Sequence, residues 1–547
     1  MTSQSPVIGI RPRKVRRGWD RPGHVVVALG LALAATVVPA RAADPISFTV
    51  NVSKAGARID RHIFGQFAEH LGTGVYEGVW VGPGSPIPNT RGIRNDVVAA
   101  LKALKVPNVR WPGGCFADDY HWRKGIGPAG KRAVILNPSW GGVTESNAFG
   151  SHEFMDFLAQ IGSEAFLSVN VGSGTPQEAS EWLEYLTTGQ PTTLGQERAA
   201  NGHADPFKVA LLGIGNESWD CGGNMTADYY LSQLKIYSRF VRNFHPAQQG
   251  RGQMLKIAVG PGGGDAPRWT EWTETIMKAW RNRSWSWDID GLSLHHYTVI
   301  DWVNKYKSVG FGEAEYSRFL RATLEMEKII GTHSAIMDRY DPQKKVALVV
   351  DEWGSWYAPL PGSNPAFLVQ QNSLRDALLA SLNLNIFARH ADRVRGANIA
   401  QMVNVLQAMI LTDKEKMVLT PTYHVFRMYV PFQDATFVPV AFDAGTYTHG
   451  DVMLPRVDAV AAKDGAGVLW LAITNLDPAR PADITVQVAG ISPKTAAGET
   501  LTAAAVGAVN SFEAPHTVAP RPFSATLQGD RLSLTLEPKS VTVFSVR

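Results

Sequence analysis

Cysteine is nearly missing from this chain. Cys115 and Cys221 are the two present in 547 residues, which rules out a Cys-rich structural zinc site. Long apolar runs are scarce as well, and the run from Val25 to Val38 is short of the ~20 residues a bilayer-spanning helix needs. Low-complexity tracts and internal repeats are absent. With 45% apolar and 19% charged residues, the composition is that of a globular protein and excludes a fibrous or mostly disordered one. A lasting excess of one charge is missing too. The net +4 comes from the first 42 residues, which hold seven Lys/Arg against one acidic residue and leave about −2 on the rest. That balance gives no reason to expect a nucleic-acid partner.

The start of the chain does have a pattern. Arg11, Arg13, Lys14, Arg16, Arg17 and Arg21 precede the apolar run, and Ala40-Arg41-Ala42 follows it. This reads as a signal peptide over 1–42, cleaved before Ala43. The protein would then be secreted or periplasmic, with no membrane attachment once the leader is gone. The alternative is an uncleaved anchor. Arg16-Arg17 hints at twin-arginine export, but Gly18-Trp19-Asp20 stands where apolar residues should follow.

From Ile63 onward, short apolar runs alternate with longer amphipathic ones. The short runs are 63–70, 108–114, 165–172, 209–217, 256–264, 291–298, 347–355 and 397–405. Helical periodicity fills the gaps, for example over Asn95–Val106, Glu153–Ile161, Ala179–Leu186, Ala227–Phe244, Glu315–Ile330 and Leu374–Arg389. Eight buried strands alternating with helices predict an α/β fold, the (β/α)8 TIM barrel. A doubly wound open sheet is the competitor, but no Gly-rich phosphate loop follows the first strand. Pro261-Gly262-Gly263-Gly264 reads as a loop after strand five. After Pro431 period-two segments take over, which predicts a C-terminal antiparallel β-sandwich, jelly-roll-like in character. Residues 47–53 alternate too and would join it. The expected domains are therefore a leader at 1–42, a strand segment at 43–60, a catalytic barrel at 61–430 and a sandwich at 431–547.

Active-site residues of such barrels sit at the C-terminal ends of the strands. Polar residues recur there: Glu69-His70, Arg110, Asn170, Asn216-Glu217, His295 with Tyr297, Glu352 and Gln401. Any one of them could merely cap a helix. Seven of eight ends facing one opening is harder to dismiss. Two carboxylates on separate strands, Glu217 and Glu352, suit glycoside hydrolysis. Asn216 could bind a sugar hydroxyl, and Trp353 and Trp356 could wall a sugar pocket with their ring faces. The pairs His295-His296 and Asp118-Asp119 invite a metal reading. Neighbours on a strand point to opposite faces, however, so the two histidines should not both enter the pocket. We expect no metal and no cofactor.

The stretches FGQFAEHLGTGVYEGVWVG (64–82), VRWPGGCFADDYHWRKGIGP (109–128), GIGNESWDCGGNM (213–225), SLHHYT (293–298), DEWGSWY (351–357) and IAQMVNV (399–405) carry a resemblance. The chain resembles the α-L-arabinofuranosidases of glycoside hydrolase family 51, over nearly the whole barrel and in the family's order. The resemblance implies that Glu217 is the general acid/base and Glu352 the nucleophile of a retaining, exo-acting enzyme. Glu69, Arg110, Asn216, His295, Tyr297 and Gln401 would hold the arabinofuranose, with Trp356 walling the pocket. Arg110 has a plainer alternative as a structural ion pair. Some members place Asn after Pro-Gly-Gly, where this chain has Cys115. The implied substrates are arabinoxylan, arabinan and other arabinose-containing glycans of hemicellulose in plant cell walls, and a homo-oligomer is compatible with the resemblance. The rivals are a retaining endo-β-glycanase or β-xylosidase and, from another class, a non-catalytic carbohydrate-binding protein.

The two cysteines follow strands two and four, whose side chains share layers in a barrel. A disulfide beside the pocket is therefore expected, with two reduced, packed thiols as the alternative.

Overall fold

Eight parallel strands close into a barrel because they are buried along most of their length and each is followed by a segment able to cover it. They are β1 (Gly65–Phe67), β2 (Asn108–Trp111), β3 (Glu164–Val169), β4 (Leu211–Ile214), β5 (Leu255–Ala258), β6 (Gly291–Thr298), β7 (Ala347–Ser355) and β8 (Val394–Ile399), paired in sequence order with β8 back on β1. The computed structural model describes residues 46–547. The expected leader and the first residues of the 43–60 segment lie outside the described residues. Among those described, no helix is long and apolar enough to cross a membrane.

Phe166, Leu211, Ile257, Ala347 and Val349 cluster inside the barrel. They come from the early parts of their strands and form its floor, which leaves the opposite end open for polar side chains. Helices cover the outside. Glu313–Tyr340 runs ten residues past the point where periodicity suggested a stop at Ile330. Gly331, the next residue, sits mid-helix while Ile329, Ile330, Ile336 and Met337 keep one face buried. Tertiary burial outweighs the ~1 kcal/mol cost of a helical glycine.

Two sheets form the sandwich. The five-stranded one runs in the order Val440–Phe442, Ile46–Asn51, Ala482–Ala489, Arg531–Leu536, Thr526–Gln528. Ile46–Asn51 pairs parallel with Ala482–Ala489 rather than antiparallel. It precedes the barrel in the chain while its partner follows it, so no hairpin fixes its direction. Phe48, Val50, Val486, Leu471 and Phe544 fill the space between the sheets. The helix Leu374–Arg389 is buried on all sides apart from its last residue, as expected of a helix packed between two partners. It ties into the sandwich through Asn385 and Arg389, which bind Asp458 at 2.8 and 2.9 Å.

Candidate active site

A cavity of about 540 Å³ opens at the C-terminal end of the barrel. Glu69, Glu217, His295, Tyr297, Glu352 and Gln401 line it, as do Cys115 and Trp356. Arg110 and Asn216 stand directly behind that lining.

Local backbone explains how two neighbouring carboxylates reach this interior. Between Ser293 and His295 of β6, β7 advances three residues, from Val349 to Glu352. Against β8 it again spends three residues, Val350 to Trp353, on two. β7 therefore carries one extra residue, a bulge of the kind that re-aims side chains beside active sites. Asp351 and Glu352 both turn toward Arg110, whose Nε is 3.3 Å from Asp351 and whose Nη1 donates to Glu352 Oε1 at 2.9 Å. Past the bulge alternation resumes. Trp353 points outward, fully buried against Phe387 and Phe426, and walls no sugar pocket. Trp356 stays at the cavity, edge-on to Tyr297 at 4.9 Å.

Glu217 follows β4 with φ +37°, a left-handed conformation that side chains rarely adopt and that marks stored backbone strain. Its surroundings hold it there. The Glu217 carbonyl accepts from Asp220 and Gly222 backbone N–H groups, and the Asn216 N–H donates to Asp118 at 3.2 Å. Asn216 Oδ1 accepts from Arg110 Nη2 at 2.7 Å. Gly114 is needed for space, since a Cβ there would lie 2.8 Å from Glu352 Oε1.

His295 joins the two glutamates. Its Nδ1 is 2.8 Å from Glu217 Oε1 and 3.6 Å from Glu352 Oε2, and its Nε2 is 3.2 Å from Asp351. One oxygen each of Glu217 and Glu352 and a nitrogen of His295 lie within 4.8 Å of one another. Burial works against a charged imidazole, but Glu352 and Asp351 outweigh it and push His295 up to about 10. Burial also raises Glu217, aided by the Glu352 charge and opposed by the His295 hydrogen bond. Glu69 is pushed up to about 7 by burial and then by Glu352. It accepts from the backbone of Gly114 and Phe116 and from Gln401 Nε2 at 3.0 Å. Tyr297 donates to Glu352 Oε2 at 2.7 Å. A metal ion among Glu217, His295 and Glu352 would lie beside the Arg110 guanidinium, which already holds Glu352 at 2.9 Å.

Cys115 and Cys221 are bonded to each other, with Cα atoms 5.5 Å apart and a sequence separation of 106. Cys221 Sγ is 3.7 Å from Glu217 Oε2.

Several expected site residues lie elsewhere. Asn170 turns back to cap its own loop through Ser173 and Gly174. His70 is buried against Glu145 and Trp111. His296, expected to face away, does border the cavity, because Gly262 and Gly263 leave the wall beside it open, but it meets neither glutamate. Asp118 and Asp119 do not converge on a metal position. Asp118 accepts from Val171, Gly172 and Asn216, which locks the loops after β2, β3 and β4 together, and Asp119 binds Ser139. Asp351 went unnoticed as a site residue. The consecutive acids at the end of strand seven were the one available signal.

Two family models match this chain, the α-L-arabinofuranosidase 1 domain over residues 100–259 and the α-L-arabinofuranosidase C-terminal domain over 351–540. An intracellular exo-α-L-arabinofuranosidase of Bacteroides ovatus is 42% identical, covering 94% of this chain and 98% of that one. The chain belongs to the family 51 α-L-arabinofuranosidases. It is accordingly a glycoside hydrolase of the arabinofuranosidase kind. A crystal structure of the family 51 arabinofuranosidase from Xanthomonas axonopodis pv. citri matches with a TM-score of 0.88 and 51% identity, over 92% of this chain and all of that one. An intracellular exo-α-(1→5)-L-arabinofuranosidase of Streptomyces lividans is 29% identical over 90% of this chain and 74% of its own.

These relatives correct one expectation. The Bacteroides and Streptomyces enzymes are both named intracellular, which overturns the reading of a secreted or periplasmic location and leaves the signal peptide without support. A basic start and a short apolar run are compositional features only, and near end-to-end relatives outweigh them.

Proposed function

We propose that the chain removes terminal arabinofuranose from the non-reducing ends of arabinose-containing glycans, with retention of configuration. Glu352 attacks the anomeric carbon and Glu217 protonates the leaving oxygen, then activates the water that releases the sugar. The observation that carries this reading is the closeness of the two carboxyl groups, with oxygens within 4.8 Å. Retaining enzymes hold their carboxyls ~5–5.5 Å apart, whereas inverting ones leave ~6.5–9.5 Å for a water. The burial that raises Glu217 suits a group that must carry a proton.

Glu69, Arg110, Asn216, His295, Tyr297 and Gln401 act as the binding set for the sugar, and Trp356 as its wall. Residues 61–430 form the catalytic unit, with 46–60 and 431–547 as the sandwich. Arabinoxylan and arabinan are the substrates in view, in line with the exo action in the names of the Bacteroides and Streptomyces relatives. The test is NMR of the first sugar released from an aryl α-L-arabinofuranoside. Initial appearance of the α-anomer fits, and the β-anomer overturns the reading.

A further inference from the structure

Asp351 is a buried carboxylate that the chemistry above does not use. It is 3% exposed and does not line the cavity. Its two oxygens lie 3.2 Å from His295 Nε2 and 3.3 Å from Arg110 Nε. Neither contact is aligned as a hydrogen bond, since Asp351 Oδ1 and Arg110 Nε have no such partner. Both are therefore chiefly contacts of charge. These two cations are the ones that touch the glutamates: His295 meets Glu217, and Arg110 holds Glu352 and Asn216. An uncompensated buried carboxylate costs several kcal/mol. The bulge in β7 that aims Glu352 also aims this residue inward.

We propose that Asp351 is a positioning residue that acts through His295 and Arg110 to set the charge balance in which Glu217 carries its proton. The inference rests on Glu217 being the acid. Counting charges explains the direction. Asp351, Glu352 and an ionised Glu217 oppose two cations, so the cluster is neutral when Glu217 is protonated. Without the Asp351 charge, a protonated Glu217 leaves a buried excess of one positive charge, and Glu217 ionises more readily. Other groups near Asp351 do not replace it. Tyr230, from the helix after β4, is a neutral phenol whose ionisation burial disfavours before any charge acts. Glu69 acts on Arg110 and Glu352 rather than on His295, and burial and then Glu352 push it up to about 7, so it supplies no fixed charge in place of Asp351. Asp351 itself is held ionised: burial opposes the charge, and Arg110 and then His295 override it.

The experiment compares Asp351→Asn with wild type and Glu217→Ala on aryl arabinofuranosides of graded leaving-group ability. The expected result for Asp351→Asn is a basic limb of the kcat/KM profile moved down by about one pH unit, the scale of a lost neighbouring charge. Its activity loss should grow as the leaving group worsens. A uniform loss with an unmoved profile overturns the inference. If Glu217→Ala itself shows no leaving-group dependence, the assignment of the acid fails instead, so the two failures are distinguishable. A second measurement needs no variant. In ¹⁵N-histidine-labelled wild type, one imidazole should stay doubly protonated past pH 8, and His295→Gln should remove that signal. Titration of this ring near the ordinary ~6.5 overturns the inference even where Asp351→Asn does not fold.

Discussion

Nδ1 of His295 lies 2.8 Å from Oε1 of Glu217, so one oxygen of the acid is already occupied before any sugar arrives. The proton that Glu217 gives to a leaving group must therefore sit on Oε2. This fixes the side of the carboxyl from which protonation occurs, and it makes Glu217 a group whose removal should be felt unequally by different substrates.

Glu217→Ala should act most strongly on poor leaving groups, which alone need a proton in the first step. With a dinitrophenyl substrate the glycosyl-enzyme should still form, deglycosylation should slow, and azide should restore turnover. Steady-state rates with and without azide check this. Equal losses on all substrates with no azide effect would assign Glu217 another role.

Glu352→Ala should lose activity by on the order of 10⁴-fold or more whatever the leaving group, as when a nucleophile acting with other groups is deleted. The carboxylate accepts from Arg110 and Tyr297, so the variant also leaves two buried donors unpaired. Turnover within tenfold of wild type, measured on a dinitrophenyl substrate, would remove the assignment.

His295 makes stability depend on pH in a defined direction. Its folded value, about 10, lies above the ~6.5 of an unfolded chain. The stabilisation its charge gives is therefore complete below pH ~6.5 and is lost as pH rises through about 10. The melting temperature of wild type should exceed that of His295→Gln most at pH 6, and the gap should narrow toward pH 10. A gap that is flat or widens contradicts a raised imidazole.

Thiol counting on denatured, unreduced protein should find no free thiol, because Cys115 and Cys221 are bonded. Reduction should lower stability by ~2–4 kcal/mol, the usual scale for closing a long loop. Denaturant midpoints with and without a dithiol reductant would show it. Two free thiols in the unreduced protein would speak against the bond.

Much of this was legible in the chain. The apolar runs at 291–298 and 347–355 coincide with β6 and β7, and Leu374–Arg389 is the helix its periodicity predicts. Strand-end polarity found Glu69, Glu217, His295, Glu352 and Gln401 because barrel topology sends those positions to one mouth. It misled at Asn170, where a short polar side chain satisfies its own loop. Asp351 was given no role, because the extra residue in β7 that turns it toward Arg110 shows only as a register shift against both neighbours. Trp219 and Trp302 also border the cavity from loops, whose courses depend on contacts that no local pattern records.

The disulfide has a consequence for proton traffic. Cys221 Sγ sits 3.7 Å from Glu217 Oε2, the oxygen that His295 leaves free. A cystine sulfur has no hydrogen to give and only a weak pull on one. The wall against which the acid rests is thus silent, and the sugar's own oxygen is left as the partner that can take the proton. Reduction would put an S–H in the same place, a competing donor that could tie up Oε2 and slow the first step before it disturbed the fold.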